Sequence, residues 1–191
     1  GQQVRWRNIR IQTKNLKPSP PDSIFVANLV PNTLSEQEKH NGVRLLWDGK
    51  TSEGWRGAYK PEFPEAGWVI KDGILSVVQG DGSESQNGGD IVTEEMFGAF
   101  DLQFDFRLTE GANSGVKYFV TEGEGNKGSA IGLEYQILDD AKHPDAKQGA
   151  VGNRTLASLY DLIPSIKIRR DVRPVDGLRR RPRGGSGVRG W

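Results

Sequence analysis

Strict alternation of apolar and polar residues over nine positions is the feature that most constrains how this 191-residue chain can fold. Within Phe100–Leu108, the inward-facing set is Leu102, Phe104, Phe106 and Leu108, and the residues between are Asp101, Gln103, Asp105 and Arg107. Because successive side chains of a β-strand point to opposite faces, this pattern predicts a strand with one dry face and one wet face. Such strands are typical of antiparallel sheets that have one face open to water.

Further strand patterns recur about every ten to fifteen residues, with turn residues between them. The clearest is a hairpin over residues 68–78, where Asp72 and Gly73 suit a type I′ turn that needs positive φ at both positions. Helix signals are few: residues 33–36 form a capping-box pattern, which predicts a short helix over residues 34–40. Since the chain also has 25 glycines and 10 prolines for its turns, we predict an all-β fold, a sandwich or jelly roll.

A predicted strand at residues 4–11 is separated from the rest of the chain by prolines. Its apolar phase changes near Asn8, which predicts a β-bulge. Pro18, Pro20 and Pro21 then favour an extended linker. We therefore expect this strand to belong to a domain upstream.

Residues 166–191 differ in composition from all the others. They hold one Lys and eight Arg against two Asp, a net charge of +7, which leaves −6 for the remainder of a chain whose formal charge is +1. Because the segment is rich in Arg, Gly and Pro and lacks periodicity, we predict that it is disordered. It is either a nucleic-acid-binding tail or the product of GC-rich DNA read out of frame. We favour the second, since nothing else in the sequence indicates nucleic acid.

The densest group of chemically useful side chains lies in residues 128–145. Glu134 and Gln136 share the polar face of a predicted strand, and the loop after it carries Asp139, Asp140, His143 and Asp145. Carboxylates, an amide and a histidine on a rigid strand suit a sugar or metal site, whereas the simpler alternative is a solvated sheet face and a charged turn. The chain has no cysteine, which excludes disulfides and zinc sites built on Cys. No apolar run approaches the length of a membrane span.

Six motifs, taken in order over residues 42–164, resemble those of the 3-keto-disaccharide hydrolase domain family. LLWDGKT at residues 45–51 is similar to the family's opening LFDGKTLxGW, and WVIKDGIL at residues 68–75 is similar to its W-x-V-x-D-G-x-L hairpin. FGAFDL (97–102), NSG (113–115), LEYQILD (133–139) and TLASLYD (155–161) resemble the family's yGdFeL, NSGi, yEvQILD and GalYdl. Residues 4–11 also resemble the family's closing strand.

The resemblance implies a concanavalin A-like jelly roll of two antiparallel sheets, one of them concave and facing the sugar. It divides the chain into the closing strand of an upstream domain of the same family (1–16), a linker (17–32), a 3-keto-disaccharide hydrolase-like domain (33–165) and an atypical tail (166–191). The family continues beyond Pro164 with strands that the tail replaces, so the domain is expected to be incomplete at its C-terminus. Residues 4–11 could supply the closing strand in cis.

The activity that the resemblance implies is hydrolysis of 3-keto-glycosides or 3-keto-disaccharides. A base takes the proton at C2, the glycosidic oxygen leaves C1 by elimination, and water adds afterwards. Glu134 is the expected acid/base, His143 a proton carrier, and Asp139 an orienting or metal-binding group. The expected substrate-binding residues are Asn113, Lys117, Gln136, Arg154 and Tyr160. The cofactor is left open, although a divalent metal would polarise the ketone.

Two other functions share this fold. The chain could be a non-catalytic carbohydrate-binding module of a secreted multi-domain protein, or a structural or adhesive domain. Convergence of Glu134 and His143 on one cavity would favour the hydrolase. The family also implies a carbohydrate ligand, a tandem domain upstream, no membrane span, and a periplasmic or extracellular location in a bacterium.

Overall fold

The computed structural model describes residues 3–16, 28, 30–78, 88–123 and 130–165, together with the backbone of residues 186–190. Most of the predicted linker (17–32) and most of the predicted tail (166–191) lie outside the described residues. The described part contains ten strands, one α-helix and one 3₁₀ helix. None of its helices is long and apolar enough to cross a membrane.

The secondary structure follows the chain in this order. The strands are β1 (Val4–Gln12), β2 (Val43–Leu45), β3 (Trp55–Gly57), β4 (Trp68–Lys71), β5 (Ile74–Val77), β6 (Ile91–Thr93), β7 (Phe100–Leu108), β8 (Asn113–Thr121), β9 (Ile131–Leu138) and β10 (Ser186–Gly190). Helix α1 spans Glu36–His40, and the 3₁₀ helix spans Pro144–Lys147.

Two antiparallel layers make up the molecule. The larger sheet has the order β10-β7-β1-β5-β4, with β2 also paired to β1. In the second layer β8 pairs with β9, and residues 157–160 extend it along the free edge of β9 through hydrogen bonds such as Tyr160 N to Glu134 O at 2.8 Å. Strands β3 and β6 form a further pair. This arrangement confirms the predicted all-β jelly-roll sandwich.

The core fills the space between the two layers. Trp6 of β1 packs against Phe104 of β7, with ring centroids 5.2 Å apart, and Tyr135 of β9 meets Phe104 edge-on at 6.2 Å. Ile137 of β9 is fully buried. Because Tyr135 points into the core and strand side chains alternate, Glu134 points to the outer face of the β8–β9 sheet.

The predicted bulge in β1 is confirmed at Asn8. This residue has a φ of 54°, and the pairing register of β1 with β7 shifts between Arg7 and Arg10. The shift lets both Trp6 and Ile9 face the core, although three positions separate them. Asn8 is held by Asn32, whose side-chain oxygen accepts from the Asn8 backbone N–H at 2.9 Å.

Strand β1 is a central strand of this chain's own sheet. It pairs with β5 on one side and β7 on the other, and its role as a closing strand in cis stays a prediction. An origin of this strand in an upstream domain stays a prediction.

Two local expectations differ from the structure. The capping box is formed by Ser35 and Glu38 instead of Thr33 and Glu36, because the Thr33 hydroxyl donates to Val30 O at 2.9 Å and leaves the helix to begin two residues later. The backbone of residues 186–190 pairs with β7, where we expected disorder. Without β10, β7 would be an edge strand whose N–H and C=O groups need partners.

Candidate functional site

Three polar side chains lie in one row across the outer face of the β8–β9 sheet. Lys117 of β8 is directly opposite Glu134 of β9. The bridge between Tyr135 and Leu159 places Tyr160 opposite Glu134 on the other side. Opposite residues in adjacent antiparallel strands share a face and have Cβ atoms about 5 Å apart. The register therefore sets a carboxylate between an ammonium group and a phenol, and we call these three residues the polar row.

Asp90, directly before β6, closes the lysine end of the polar row. Its Oδ2 lies 2.8 Å from Lys117 Nζ and accepts from Ala130 N at 3.2 Å. The two side chains of this ion pair are 26% and 29% exposed. Asp90 thus fixes the position of the Lys117 ammonium group while leaving it accessible to a ligand.

The second row lies beneath the Glu134 carboxylate and consists of Gly115, Gln136 and Ser158. A Cβ atom built on Gly115 would lie 2.6 Å from both Cγ and Cδ of Glu134, so the glutamate side chain covers this glycine. Gln136 is only 1% exposed, and its Oε1 accepts from Ile137 N at 3.2 Å. This burial leaves Gln136 little surface for direct contact with a sugar.

A carboxylate–arginine clasp closes the tyrosine end of the polar row. Arg154 donates from Nε and Nη2 to Asp161 at 2.9 and 3.0 Å and from Nη1 to Asp145 at 3.0 Å. Tyr160 Oη donates to the other Asp145 oxygen at 2.9 Å. The clasp ties the 3₁₀ helix to the edge of the sheet. Because Arg154 is engaged by two carboxylates, its expected role in sugar binding stays a prediction.

The clasp also alters proton affinities. Burial, together with the hydrogen bond to Asp145, raises the pKa of Tyr160 to about 12. The hydrogen bonds from Arg154 hold the pKa of Asp161 below its ordinary value. At neutral pH Tyr160 therefore remains a phenol that donates to Asp145, so it is a donor and not a base.

His143 and Asp139 lie in the loop that leads from β9 to the 3₁₀ helix. His143 caps that helix, because its Nδ1 accepts from Asp145 N at 3.2 Å. A neutral imidazole that accepts at Nδ1 carries its proton on Nε2. Asp139 accepts from Gly111 N at 2.8 Å and from Ala141 N at 3.1 Å, and so it shapes the loop with both oxygens.

The remaining expected residues lie farther from the polar row. Asn113 begins β8 opposite Leu138, four residues before Lys117 along that strand, and it is exposed. Asp140 accepts a hydrogen bond from Leu156 N at 2.7 Å and so joins the loop after β9 to the segment that carries Arg154 and Tyr160. Within the described ranges, no group of three or more His, Asp or Glu side chains could hold a metal ion.

The structure thus brings together Glu134, Lys117 and Tyr160 and adds two residues that the sequence did not identify as site residues, Asp90 and Gly115. Asp90 is 27 residues from Lys117 in the chain, and no local pattern links the two. Gly115 lies inside the NSG motif, which supports the family resemblance but does not indicate what the glycine does. The sequence places Asp145 in the charged loop after β9, but its contacts with Arg154 and Tyr160 depend on the fold.

Comparison with known proteins assigns the family. The family model described as 3-keto-alpha-glucoside-1,2-lyase-like domain matches residues 42–183. The 3-keto-disaccharide hydrolase of Bacteroides thetaiotaomicron is 37% identical over 137 residues, which cover 66% of this chain and 47% of that protein. The chain therefore spans about half the length of the curated relative it matches. Since the family model matches well over half of the sequence, this chain belongs to the 3-keto-alpha-glucoside-1,2-lyase-like domain family.

Proposed function

We propose that this chain cleaves the glycosidic bond of 3-keto-glycosides or 3-keto-disaccharides, with Glu134 as the acid/base. The observation that supports the proposal is the register that sets Glu134 between Lys117 and Tyr160 on an outer sheet face. The name of the 37% identical relative indicates the substrate class. A carboxylate beside fixed hydrogen-bond donors is the arrangement that proton abstraction next to a ketone requires.

The reaction begins at C2 of the sugar. The C3 ketone acidifies the C2 proton, which passes to the Glu134 carboxylate while the electron pair moves onto the ketone oxygen. The C1–O bond then breaks as the enolate collapses, the leaving oxygen receives a proton, and a C1–C2 double bond forms. Addition of water across that double bond, with OH bound to C1 and H to C2, gives the free keto sugar.

Lys117 is the group that we assign to the developing enolate oxygen. Its ammonium group is fixed by Asp90 at 2.8 Å, so stabilising the new charge requires little reorganisation. We assign His143 to the leaving oxygen, since its Nε2–H is the donor left free by the contact at Nδ1. Asp139 would act by holding the loop that carries His143. Asn113 and Tyr160 would contact sugar hydroxyls at the rim.

The test compares cleavage of a 3-keto-glucoside with cleavage of the ordinary glucoside, each with and without a chelator. Glu134→Gln should reduce turnover of the keto substrate by at least about 10²-fold. Glu53→Gln is the matched control, because Glu53 is an exposed carboxylate in the turn before β3 and should retain wild-type turnover.

Each outcome of this test has one meaning. Cleavage of the keto substrate alone, lost in Glu134→Gln, supports the proposal, and sensitivity to the chelator would add a divalent metal to it. Binding of both sugars without cleavage would overturn it in favour of a carbohydrate-binding module. Absence of both binding and cleavage would overturn it in favour of a structural domain.

We further propose a periplasmic or extracellular location and an upstream domain of the same family, as the resemblance implies. Fractionation of the source cells, followed by detection with an antibody to residues 33–165, tests both points. Signal confined to the cytoplasmic fraction would contradict the location. A detected band no larger than the 21.1 kDa of this chain would contradict the upstream domain.

A further inference from the structure

Gly115 occupies a position where the backbone alone does not require glycine. It lies inside β8 and is not among the glycines with positive φ, so its conformation is open to any L-residue. Glycine inside a strand costs conformational entropy and contributes no packing. Its presence therefore calls for a reason outside its own backbone.

The Glu134 side chain supplies that reason. A Cβ on Gly115 would overlap Oε1 of Glu134 and would lie 2.6 Å from its Cγ and Cδ. Distances under about 3 Å between unbonded carbon atoms are strongly repulsive, since the optimum is about 3.5–4.0 Å. Even the smallest side chain at position 115 would thus displace the carboxylate from its present place.

The direction in which Glu134 leans is also informative. Its cross-strand partner in the register is Lys117, yet its carboxylate covers Gly115, one side-chain row farther along the same face of β8. Lys117 in turn places its Nζ beside Asp90 at 2.8 Å. The missing side chain at position 115 therefore provides the space in which the carboxylate lies.

We infer that Gly115 is a positioning residue: because it has no side chain, the Glu134 carboxylate can lie directly against the β8 backbone at this position. The inference on activity rests on the proposed function, whereas the inference on geometry does not. Displacing a catalytic group by about 1 Å can cost on the order of 10²-fold in rate, so a single methyl group at this position should have a large effect.

The experiment combines turnover with a measurement that does not depend on it. Gly115→Ala is compared with Gly98→Ala, because a Cβ on Gly98 would meet nothing within 4 Å. For each protein, kcat and KM are measured on a 3-keto-glucoside. The carboxyl carbon of Glu134 is followed by NMR after ¹³C labelling of glutamate, its signal being assigned by its loss in Glu134→Gln.

Gly115→Ala should lower kcat by about 10²-fold with KM changed by less than about threefold, and it should shift the Glu134 signal. Gly98→Ala should change neither.

An unchanged Glu134 signal in Gly115→Ala would overturn the inference, whatever happens to turnover. If wild-type protein fails to cleave the keto substrate, the proposed function fails. A shifted Glu134 signal would then still support the role of Gly115 in positioning.

Discussion

The outer faces of the two sheets have the same alternating polar pattern but very different surroundings. On the large sheet, Arg7 of β1 lies opposite Asp105 of β7, with Nε 3.4 Å from Oδ2 and side chains 47% and 44% exposed. On the β8–β9 sheet, the Lys117–Asp90 pair is shorter, at 2.8 Å, and its side chains are 26% and 29% exposed. Both faces satisfy the same sequence rule, but the Arg7–Asp105 pair is open to solvent, whereas the Lys117–Asp90 pair is partly enclosed.

The difference comes from what borders each face. The segment before β6 brings Asp90 to one end of the polar row, and residues 139–161 bring the clasp to the other. On the large sheet, Arg5 even lies opposite Arg107, a like-charge pairing that is unfavourable unless both groups are well solvated. Alternation thus creates a polar face, and flanking segments turn one such face into a candidate site.

The largest expected effect is on turnover, and it is tested by replacing one cation on the outer face of each sheet. Lys117→Met should lower kcat/KM on a 3-keto-glucoside by about 10²–10³-fold, because the enolate oxygen loses its fixed donor. Arg7→Met should leave kcat/KM within about twofold of wild type. Steady-state kinetics on proteins with matched circular-dichroism spectra measures both. Wild-type turnover in Lys117→Met would remove Lys117 from the chemistry.

Next in size is the stability effect of the clasp. Tyr160→Phe removes the hydrogen bond to Asp145, which is a charged acceptor, and should lower the free energy of unfolding by about 2 kcal/mol. Tyr59→Phe is the matched control, since Tyr59 is 41% exposed and should change stability by less than about 0.5 kcal/mol. Urea unfolding gives both values. Equal free energies of unfolding for the two variants would mean that the hydrogen bond from Tyr160 to Asp145 adds little to stability.

The pH dependence of stability sharpens the comparison at another enclosed ion pair. The side-chain hydrogen bonds from Arg56 and, to a smaller extent, the hydrogen bond from the Tyr59 N–H lower the pKa of Glu122 to about 2, from an ordinary value of 4.5. Because the folded-state pKa is the lower one, the stabilisation is fully present above pH 4.5 and is lost as the pH falls towards 2.

The side chains of Arg56 and Glu122 are 27% and 30% exposed, so solvent screening reduces this stabilisation to about 1 kcal/mol. Glu122→Gln should lower the free energy of unfolding by that amount at pH 7 and should flatten its fall between pH 4.5 and pH 2. Chemical unfolding at several pH values measures the slope. A slope identical to that of the wild type would show that this pair is as well solvated as Arg7 and Asp105.

The smallest effect is expected on the exposed face. Arg7→Met should change the free energy of unfolding by less than about 0.5 kcal/mol, because exposed ion pairs gain little over solvation. Urea unfolding at low and high salt measures this change. A loss above 1 kcal/mol that disappears in high salt would show that enclosure is not what separates the two faces.

Much of the fold could be predicted from the sequence because the signals are local. Alternation in Phe100–Leu108 indicated its buried face, Asp72 and Gly73 indicated the β4–β5 turn, and the phase change at Asn8 indicated the bulge. The helix boundary was missed, because Thr33 and Ser35 are both good caps and only the contact of Thr33 with Val30 decides between them.

The candidate site was predictable only in part. Period-two alternation placed Glu134 on the polar face of its strand, and the family motifs are the basis for predicting that it is the acid/base. The same alternation placed Gln136 on that polar face, where it is an expected sugar ligand, yet Gln136 is almost completely buried in the structure. Its neighbours include Ser158, which pairs with it from twenty-two residues away, and such a contact leaves no trace in the strand's own pattern.

By itself, the sequence of this protein determined where most of the strands lie, which face of each strand is apolar, and that Glu134 lies on the polar face of its strand. Those properties depend on neighbouring residues, whose side chains alternate at fixed intervals along the backbone. Only the tertiary structure decided that Lys117 meets Asp90, that β1 lies between β5 and β7, and that Glu134 rests over Gly115. Those contacts depend on strand register and chain crossovers, which bring together residues far apart in the sequence.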